Sequence, residues 1–529
     1  MKKRNLLLTA LLVGAILAGC GGNKETATET PGGASTVANV EFPLQEKVTY
    51  EVVQRYGTNA ISEMEAWNKY YEDLTNVHIE WLDWGNEEAY NQKLKLAVAS
   101  GDLPDAFYGG FLFSPQEYVN YGSSGIIVPI EDMIAEYMPN YSRLIEKMPY
   151  LRDGMVAEGG HIYGVPSYLG VLSGAARTND VILYNRQWME KLGLEIPETP
   201  EEFYEYLKAI KAAGDLNGNG KNDEIPFTFH FGTNGTIDHI NGLASFVGFS
   251  GAMLPSNYFY AEDGKINFAP TQPGIKDAVK FLNKLNNEGL IDKEGFTMDS
   301  GSYTAKIRNP EPVAGVLIGW SEYNINSVAG DNMYVYGEPL KDKDGNRRWL
   351  ERVRPVSNTI SFAVTKNAKN PEILLKWADV QLETDNSLYN NYGPFDEFIK
   401  KNEDGTYEQL ILDLTETPVP ANYSLNILIP EEVTFTNMPK TTESKNAAND
   451  VYLKYVDEEY FFDAYSTEAE IEENTIIGND VRNYVTKMLA KWIYSGGVDE
   501  DWDKYLKELE NMKLADWTEN MQAAYDRSR

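Results

Sequence analysis

From residue 47 onward the apolar positions alternate between two periods. Val48 to Tyr56 is rich in β-branched and aromatic residues and reads as a strand. Ser62 to Leu74 spaces its apolar residues as a helix does, and Val77 to Leu82 alternates as a strand. Glu87 to Ala99 returns to helical spacing, with Tyr90, Leu94 and Val98 on one face. This succession predicts an α/β sheet. It resumes with the apolar run Val181 to Tyr184. Thr199 to Gly214 then reads as a helix, with Thr199 at the N-cap, Pro200 at N1, Glu202 placed for a capping box and Gly214 to end it. Phe203, Leu207 and Ile210 form its apolar stripe. EDGK at 262–265 predicts a hairpin turn, Ile275 to Asn286 a helix, and Val313 to Ile318 a strand. The last 150 residues are largely helical and aromatic. DKDGN at 342–346 and EDGT at 403–406 read as surface turns, because they lack full metal-ligand spacing.

The N-terminus follows a different pattern. Lys2, Lys3 and Arg4 precede an apolar run from Leu6 to Leu17. About 12 apolar residues are too few to span a bilayer of about 30 Å, so the segment reads as a signal peptide. Cys20 follows Leu17-Ala18-Gly19 and is the only cysteine of the chain. Small residues before a cysteine at this point resemble a bacterial lipobox. That resemblance implies a mature protein beginning at Cys20 and carrying lipid there, palmitate included. Gly21 to about Val40 is rich in Gly, Ser, Thr and Ala and reads as a flexible tether. The expected body is therefore extracytoplasmic and held at the cell membrane by its lipid.

Composition narrows the function. The chain has 529 residues and a formal net charge of −33, so nucleic acid is excluded as a partner by repulsion. With 42% hydrophobic residues it can bury a core, and one cysteine allows no intrachain disulfide. The four histidines (His78, His161, His230 and His239) form no metal-protease motif.

One loop carries metal chemistry. DLNGNGKNDE at 215–224 places Asp215, Asn217, Asn219 and Asp223 at positions one, three, five and nine of an EF-hand-type loop. Gly220 takes position six, where the chain turns sharply, and Lys221 at position seven offers its backbone carbonyl. The usual acid at position twelve is replaced by Pro226, and Glu224 is the natural substitute. Since a strand-like IPFTF follows, the expectation is a structural Ca²⁺ site that pins a helix-to-strand loop rather than a switch. The competing reading is a solvated Asn/Gly turn.

Several stretches resemble the extracellular solute-binding proteins (family 1) of carbohydrate ABC importers. They are SGDLPD at 100–105, GIIVPIEDMI at 125–134, HIYGVPSY at 161–168 and YNRQWMEKLGLEIPETPEEFYEYLKAIK at 184–211. YVTKMLAKWIYSGG, DWDKYLKELE and QAAYDR (484–497, 501–510, 522–527) are similar to a long lipoprotein branch that includes binding proteins for alginate and plant oligosaccharides. Some members of that branch carry a calcium loop where DLNGNGKNDE stands. RNPEPVAGVLIGW at 308–320 departs by its prolines. The resemblance implies an α/β, two-lobe periplasmic-binding-protein-like fold with a hinge and a helical C-terminal extension. The expected division is 1–19 signal peptide, 20–44 lipidated cysteine and tether, 45–168 with 305–368 as lobe 1, and 169–304 with 369–529 as lobe 2.

Sugar recognition calls for aromatic faces against C–H faces and planar polar groups against hydroxyls. Aromatics at strand ends and crossings are the candidates: Trp320, Tyr168, Trp84 with Asp83 beside it, Tyr392 and Phe111. Trp377, Trp492, Trp502 and Trp517 sit in helical patterns and read as packing. Arg308, Glu322, Asn391 and Asp238 are softer polar candidates. Arg308 and Lys306 gain weight if the ligand is acidic. The resemblance implies a monomeric, non-enzymatic subunit that closes on an oligosaccharide and delivers it to transmembrane permease subunits, on the outer face of a Gram-positive cell. A cell-surface glycoside hydrolase and a sugar-sensing or adhesive lipoprotein are the alternatives.

Overall fold

The computed structural model describes residues 40–55, 64–110, 112–166, 181–230, 248–249, 258–330, 332–349, 360–413, 425–455 and 466–527. The chain begins β1 (Val48–Arg55), α1 (Glu65–Thr75), β2 (Val77–Asp83), α2 (Glu87–Ser100), β3 (Ala106–Gly109) and α3 (Pro115–Ser123). Helices α4 (Glu131–Tyr137), α5 (Pro139–Lys147) and α6 (Tyr150–Asp153) lead to β4 (Val165–Pro166). Next come β5 (Val181–Asn185), α7 (Arg186–Leu192), α8 (Pro200–Ala213), β6 (Ile225–Thr228) and a hairpin of β7 (Phe259–Glu262) and β8 (Lys265–Phe268). They are followed by α9 (Pro273–Asn287), α10 (Ser300–Ile307), β9 (Ala314–Gly319), α11 (Glu322–Ala329) and β10 (Tyr334–Tyr336). The chain returns as β11 (Ile360–Val364), α12 (Pro371–Val380), α13 (Thr384–Tyr392) and a hairpin of β12 (Ile399–Lys401) and β13 (Tyr407–Gln409). It ends in α14 (Lys440–Tyr452), α15 (Glu468–Ser495), α16 (Val498–Asn511) and α17 (Leu514–Arg527).

Two sheets organise these elements. The first has the order β2-β1-β3-β11-β4, with β1 parallel to β2 and β3. The second has the order β10-β5-β9-β6, with β6 parallel to β9 and β5 antiparallel to it. Strands β5, β9 and β11 are buried at every position. Their mainly apolar runs, broken only by Asn185 and Ser361 and without alternation, suit strands covered on both faces.

The expected division of the chain needs correction at the sheets. Segment 305–368 does not stay with the first sheet. β9 and β10 hydrogen-bond into the second sheet beside β5, and only β11 joins the first. The run AGVLIG requires a partner on each side, and β5 and β6 supply both. Segment 369–392 likewise belongs with the first sheet. The Trp377 ring lies 5.7 Å from Tyr108 and 6.2 Å from Phe362. The Asn390 Oδ1 accepts hydrogen bonds from Trp67 Nε1 at 2.7 Å and Tyr71 OH at 2.9 Å. Helices α14 to α17 pack with the second sheet, where Tyr452, Val485, Trp492 and Tyr505 are buried in one core.

Local expectations fare better. Thr199 Oγ1 accepts from Glu202 N at 3.2 Å, Pro200 stands at N1, and Gly214 ends α8 at φ 71°. The capping box is incomplete there, because the Glu202 carboxylate accepts from Glu198 N instead. Full boxes form at Ser114–Glu117 and Thr467–Glu470. EDGK closes the β7–β8 hairpin, with Glu262 paired to Lys265.

Candidate functional site

Ligands of α/β sheets meet the carboxyl ends of the strands. In the first sheet β1, β2 and β3 end at Arg55, Asp83 and Gly109. Gly109 has φ 122°, and a Cβ there would stand 1.9 Å from the Arg55 carbonyl oxygen, so the close approach requires glycine. Trp84 follows β2, half-buried, with its ring 5.7 Å from Tyr90 and 5.8 Å from Phe107. Asp83 Oδ1 accepts from Gly85 N at 2.7 Å and so shapes its own turn.

In the second sheet Trp320 follows the carboxyl end of β9. Helix α14, distant in sequence, holds this end. Lys445 Nζ lies 3.8 Å from the Trp320 ring centroid and donates to the Trp320 carbonyl at 3.0 Å. Lys445 is only 1% exposed. Its neighbour Ser444 accepts from Tyr323 N at 3.0 Å and from Tyr336 OH at 2.7 Å. Glu322 opens α11, and burial pushes its carboxyl above the usual range against the pull of Arg186.

Three expected ligand residues stand elsewhere. Tyr303 OH donates to Ile318 O at 2.6 Å and accepts from Ile318 N at 3.1 Å, so α10 runs beside β9 in the opposite sense. Arg308 at the C-terminus of α10 therefore lies toward the start of β9. The six residues of β9 span about 20 Å, which removes Arg308 from the Trp320 end. Lys306 is engaged by Asp292 and Glu294, each at 2.8 Å. Tyr392 is 3% exposed and packs with Leu388, Ile399 and Leu428, its ring 4.7 Å from Phe435. It is core to a small cluster and presents no open face. Phe111, Tyr168, Asp238 and Cys20 lie outside the described residues.

A cavity of about 350 Å³ opens between α3 and helices α15 and α17, within the size range of small-molecule sites. Ser114 is the N-cap of α3 and Gln116 lies in its first turn. Asn474, Asn479 and Arg482 come from α15, and Trp517 from α17. Arg482 Nη2 donates to Asn479 Oδ1 at 3.0 Å, and its guanidinium lies 5.5 Å from the Trp517 ring. A Cβ on Gly478 would come within 2.9 Å of the Trp517 ring, so this glycine lets the indole seat against α15. The rim is bridged as well. Ser123 Oγ donates to Glu468 Oε1 at 3.2 Å, and Glu468 N to Glu158 Oε2 at 3.3 Å. The first turn of α15 thus touches elements of the first sheet, while Val481, Val485 and Leu489 of the same helix lie in the second core.

Sequence reasoning missed this wall. Trp517 packs as expected at 3% exposure, yet it also faces the cavity. A signal existed: Asn474, Gly478 and Arg482 are spaced i, i+4, i+8, a polar and small stripe beside the buried stripe Ile477, Val481, Val485.

The loop 215–224 lies between α8 and β6. Asp215 Oδ1 accepts from Gly218 N at 2.7 Å and Oδ2 from Gly220 N at 2.9 Å. Asn217 Oδ1 accepts from Asn219 N at 3.1 Å, and Asn219 Oδ1 from Lys221 N at 2.9 Å. Asn219 Nδ2 donates to Asp223 Oδ1 at 3.2 Å, and Glu224 Oε1 accepts from Asn217 N at 3.2 Å. Gly220 has φ 81°, the left-handed turn expected at position six. Among the described residues no three His, Cys, Asp or Glu side chains converge as a metal group. A cation here would need the amide oxygens of Asn217 and Asn219 and the Lys221 carbonyl beside the carboxylates. That all-oxygen donor set fits Ca²⁺.

Comparison with known proteins agrees with this architecture. Residues 57–387 match the model of the bacterial extracellular solute-binding protein family. The fructooligosaccharide ABC transporter substrate-binding protein FusA of Streptococcus pneumoniae is 31% identical, covering 99% of this chain and 97% of FusA. The solved structure of FusA with kestose superposes at a TM-score of 0.76, with 27% identity, over 91% of this chain and 99% of that one. An EF-hand mutant of FusA, in complex with fructo-nystose, superposes at 0.77 over the same shares, also at 27% identity. A solute-binding protein of Bifidobacterium longum infantis, described as binding HMO, shares the fold at a TM-score of 0.77 and 23% identity, covering 91% of this chain and 99% of its own. These relatives are two-lobed, and the two sheets here are the centres of the corresponding lobes. The chain belongs to the bacterial extracellular solute-binding protein family.

Proposed function

We propose that this protein is the substrate-binding subunit of a carbohydrate ABC importer. It captures an oligosaccharide between its lobes and delivers it to transmembrane permease subunits. The observation that carries the reading is the cavity, whose walls come from both lobes. An occupant touching α3 on one side and α15 and α17 on the other favours the closed arrangement by its differential contacts. The identity with FusA along almost the whole chain supports an oligosaccharide as that occupant. No bond is broken in this role, and the relatives are solute-binding proteins. A thermal-shift screen over neutral and acidic oligosaccharides tests it. Stabilisation of about 2.7 kcal/mol is expected at a 100-fold excess of ligand over Kd. A flat response across the panel, or turnover of a labelled oligosaccharide, sinks the reading.

Two finer assignments accompany it. Asp215, Asn217, Asn219, Lys221, Asp223 and Glu224 hold a structural Ca²⁺, supported by the oxygen-only loop and by the EF-hand described for FusA. The ion would supply positive charge that ties the loop together. Cys20 carries the lipid anchor, supported by its place after the apolar run Leu6 to Leu17. A Cys20→Ala chain should leave the membrane fraction, and its full retention there would refute the anchor.

A further inference from the structure

We infer that Glu322 is a ligand-binding residue next to Trp320, an acceptor held in place for hydroxyls of the sugar. This deepens the reading of the chain as an oligosaccharide carrier and rests on it.

The turn that follows β9 is fixed from outside itself. Lys445 Nζ donates to the Trp320 carbonyl, Glu322 N to Tyr336 OH and Tyr323 N to Ser444 Oγ, each at 3.0 Å. These bonds hold the backbone on both sides of Glu322. Ile325 and Ala329 are the buried residues of α11, and Glu322 stands three and seven positions before them, on the same face. Its side chain is half-buried. Among the described residues its carboxylate accepts no hydrogen bond and forms no ion pair. A carboxylate only accepts, and burying it without donors is costly. This one is kept at the carboxyl end of β9, the edge where α/β sheets meet their ligands. Sugar hydroxyls would supply the missing donors, and bonds to a charged acceptor are strong. Trp320, two residues earlier and also half-buried, is the aromatic neighbour such a sugar would meet.

Binding then carries a proton signature. Burial holds the Glu322 carboxyl above the ordinary glutamate range, with Arg186 pulling it down. Donated hydroxyls favour the ionised form and lower the value again. Affinity is therefore full near neutral pH and falls as pH drops through the raised value. Among the described residues the charged and titratable groups that face the turn are Arg186, Tyr323, Tyr336, Lys440, Lys445 and Asp413, which accepts from Tyr323 OH at 2.8 Å. Of these only Asp413 shares the acid range.

The test is calorimetric titration of the full chain with kestose, raffinose, maltotriose and trigalacturonate, near pH 7 and near pH 4.5. The tightest of these ligands should bind about tenfold more weakly at the lower pH. Glu322→Gln should weaken it about tenfold near pH 7 and remove the pH slope, while Asp413→Asn keeps the slope. The melting temperature of Glu322→Gln without sugar should not fall, because the buried charge is gone and the shape is kept. Affinity within twofold of the parent near pH 7, a slope that survives in Glu322→Gln, or a slope that disappears in Asp413→Asn instead would each overturn the assignment and leave the carrier reading intact. Binding of none of the four sugars would bring down both.

Discussion

At the start of β6 and β9 the loop 215–224 is held chiefly by its own groups. Asp215, Asn217 and Asn219 each accept backbone N–H bonds from residues two to five positions on. At the far end of β9 Trp320 is held by Lys445, which follows it by 125 residues. The two ends belong to one strand pair and differ in what fixes them. The turn of the loop is readable from spacing, because the N–H groups that its Asp and Asn side-chain oxygens accept lie within ten residues, while Asn217 Nδ2 also donates to the Pro312 carbonyl at 3.3 Å and Lys191 Nζ to the Leu216 carbonyl at 3.3 Å. The Trp320 end is assembled only when α14 docks. A ligand-facing aromatic gains from that arrangement: the buried ammonium fixes one ring face by cation–π contact and leaves the indole's pose independent of its own flexible turn.

The comparison can be broken experimentally. The largest effect should follow Trp320→Ala. If the indole is a ligand contact, oligosaccharide affinity falls by at least about 2 kcal/mol, or roughly 30-fold. Unchanged affinity in a titration would remove Trp320 from the site. Lys445→Met should come next. It strips the Trp320 carbonyl of a charged donor in a buried setting, at about 1.5–3 kcal/mol of stability. Lys445→Arg should recover part of that loss and of the Trp320 fluorescence signature. Equal melting curves for Lys445→Met and the parent would show that the far end needs no such clasp.

A control lies in the other lobe, remote from both ends. Asp379 accepts from Asn140 N at 3.1 Å and Tyr141 N at 2.8 Å at the start of α5. Burial nonetheless pushes its carboxyl up to about 6, against the pull of those amides. The folded value is above the unfolded one near 3.9, so the protonated form favours the fold. Its contribution is complete below about pH 4 and is lost as pH rises through 6, amounting to about 3 kcal/mol. Asp379→Asn should flatten stability between pH 4.5 and 6.5 without altering calcium or sugar responses; a slope that persists in the variant would contradict the assignment. The smallest effect is expected at the loop. Asp215→Ala loses two accepted N–H bonds, about 1 kcal/mol in the absence of metal. It should also abolish any rise in melting temperature with Ca²⁺, which chelator-matched scans would reveal.

Legibility followed the same division. The cap of α8, the turn between β7 and β8 and the turns at 342–346 and 403–406 were all present in short spacings. Side-chain oxygen and glycine act there on neighbours in the chain. The placement of Arg308 was not legible, because its distance from Trp320 depends on α10 running antiparallel to β9. Tyr392 offered a similar lesson. Its position after a helix suggested an open turn, yet Leu388, Ile399, Leu428 and Phe435 close over it from three separate segments. The cavity wall was the largest omission. Its residues lie on α3 and on two helices more than 340 positions later. Only the polar stripe Asn474, Gly478, Arg482 hinted at it.

By itself the sequence determined the α/β class, the limits of several elements (β1, β2, α2, β5 and α8 among them), the oxygen spacing of the 215–224 loop and, by resemblance, the family. Those features rest on periodicity, capping and turn chemistry, which operate over a few residues. Tertiary structure alone decided that β9 joins β5 and β6, that α12 and α13 cross back to the first lobe, and that α15 and α17 face α3 across a cavity. Each of these is a choice among apolar surfaces of similar hydrophobicity. Burial energy is non-directional, so pairing is settled by shape and by the hydrogen bonds that distant segments can complete together.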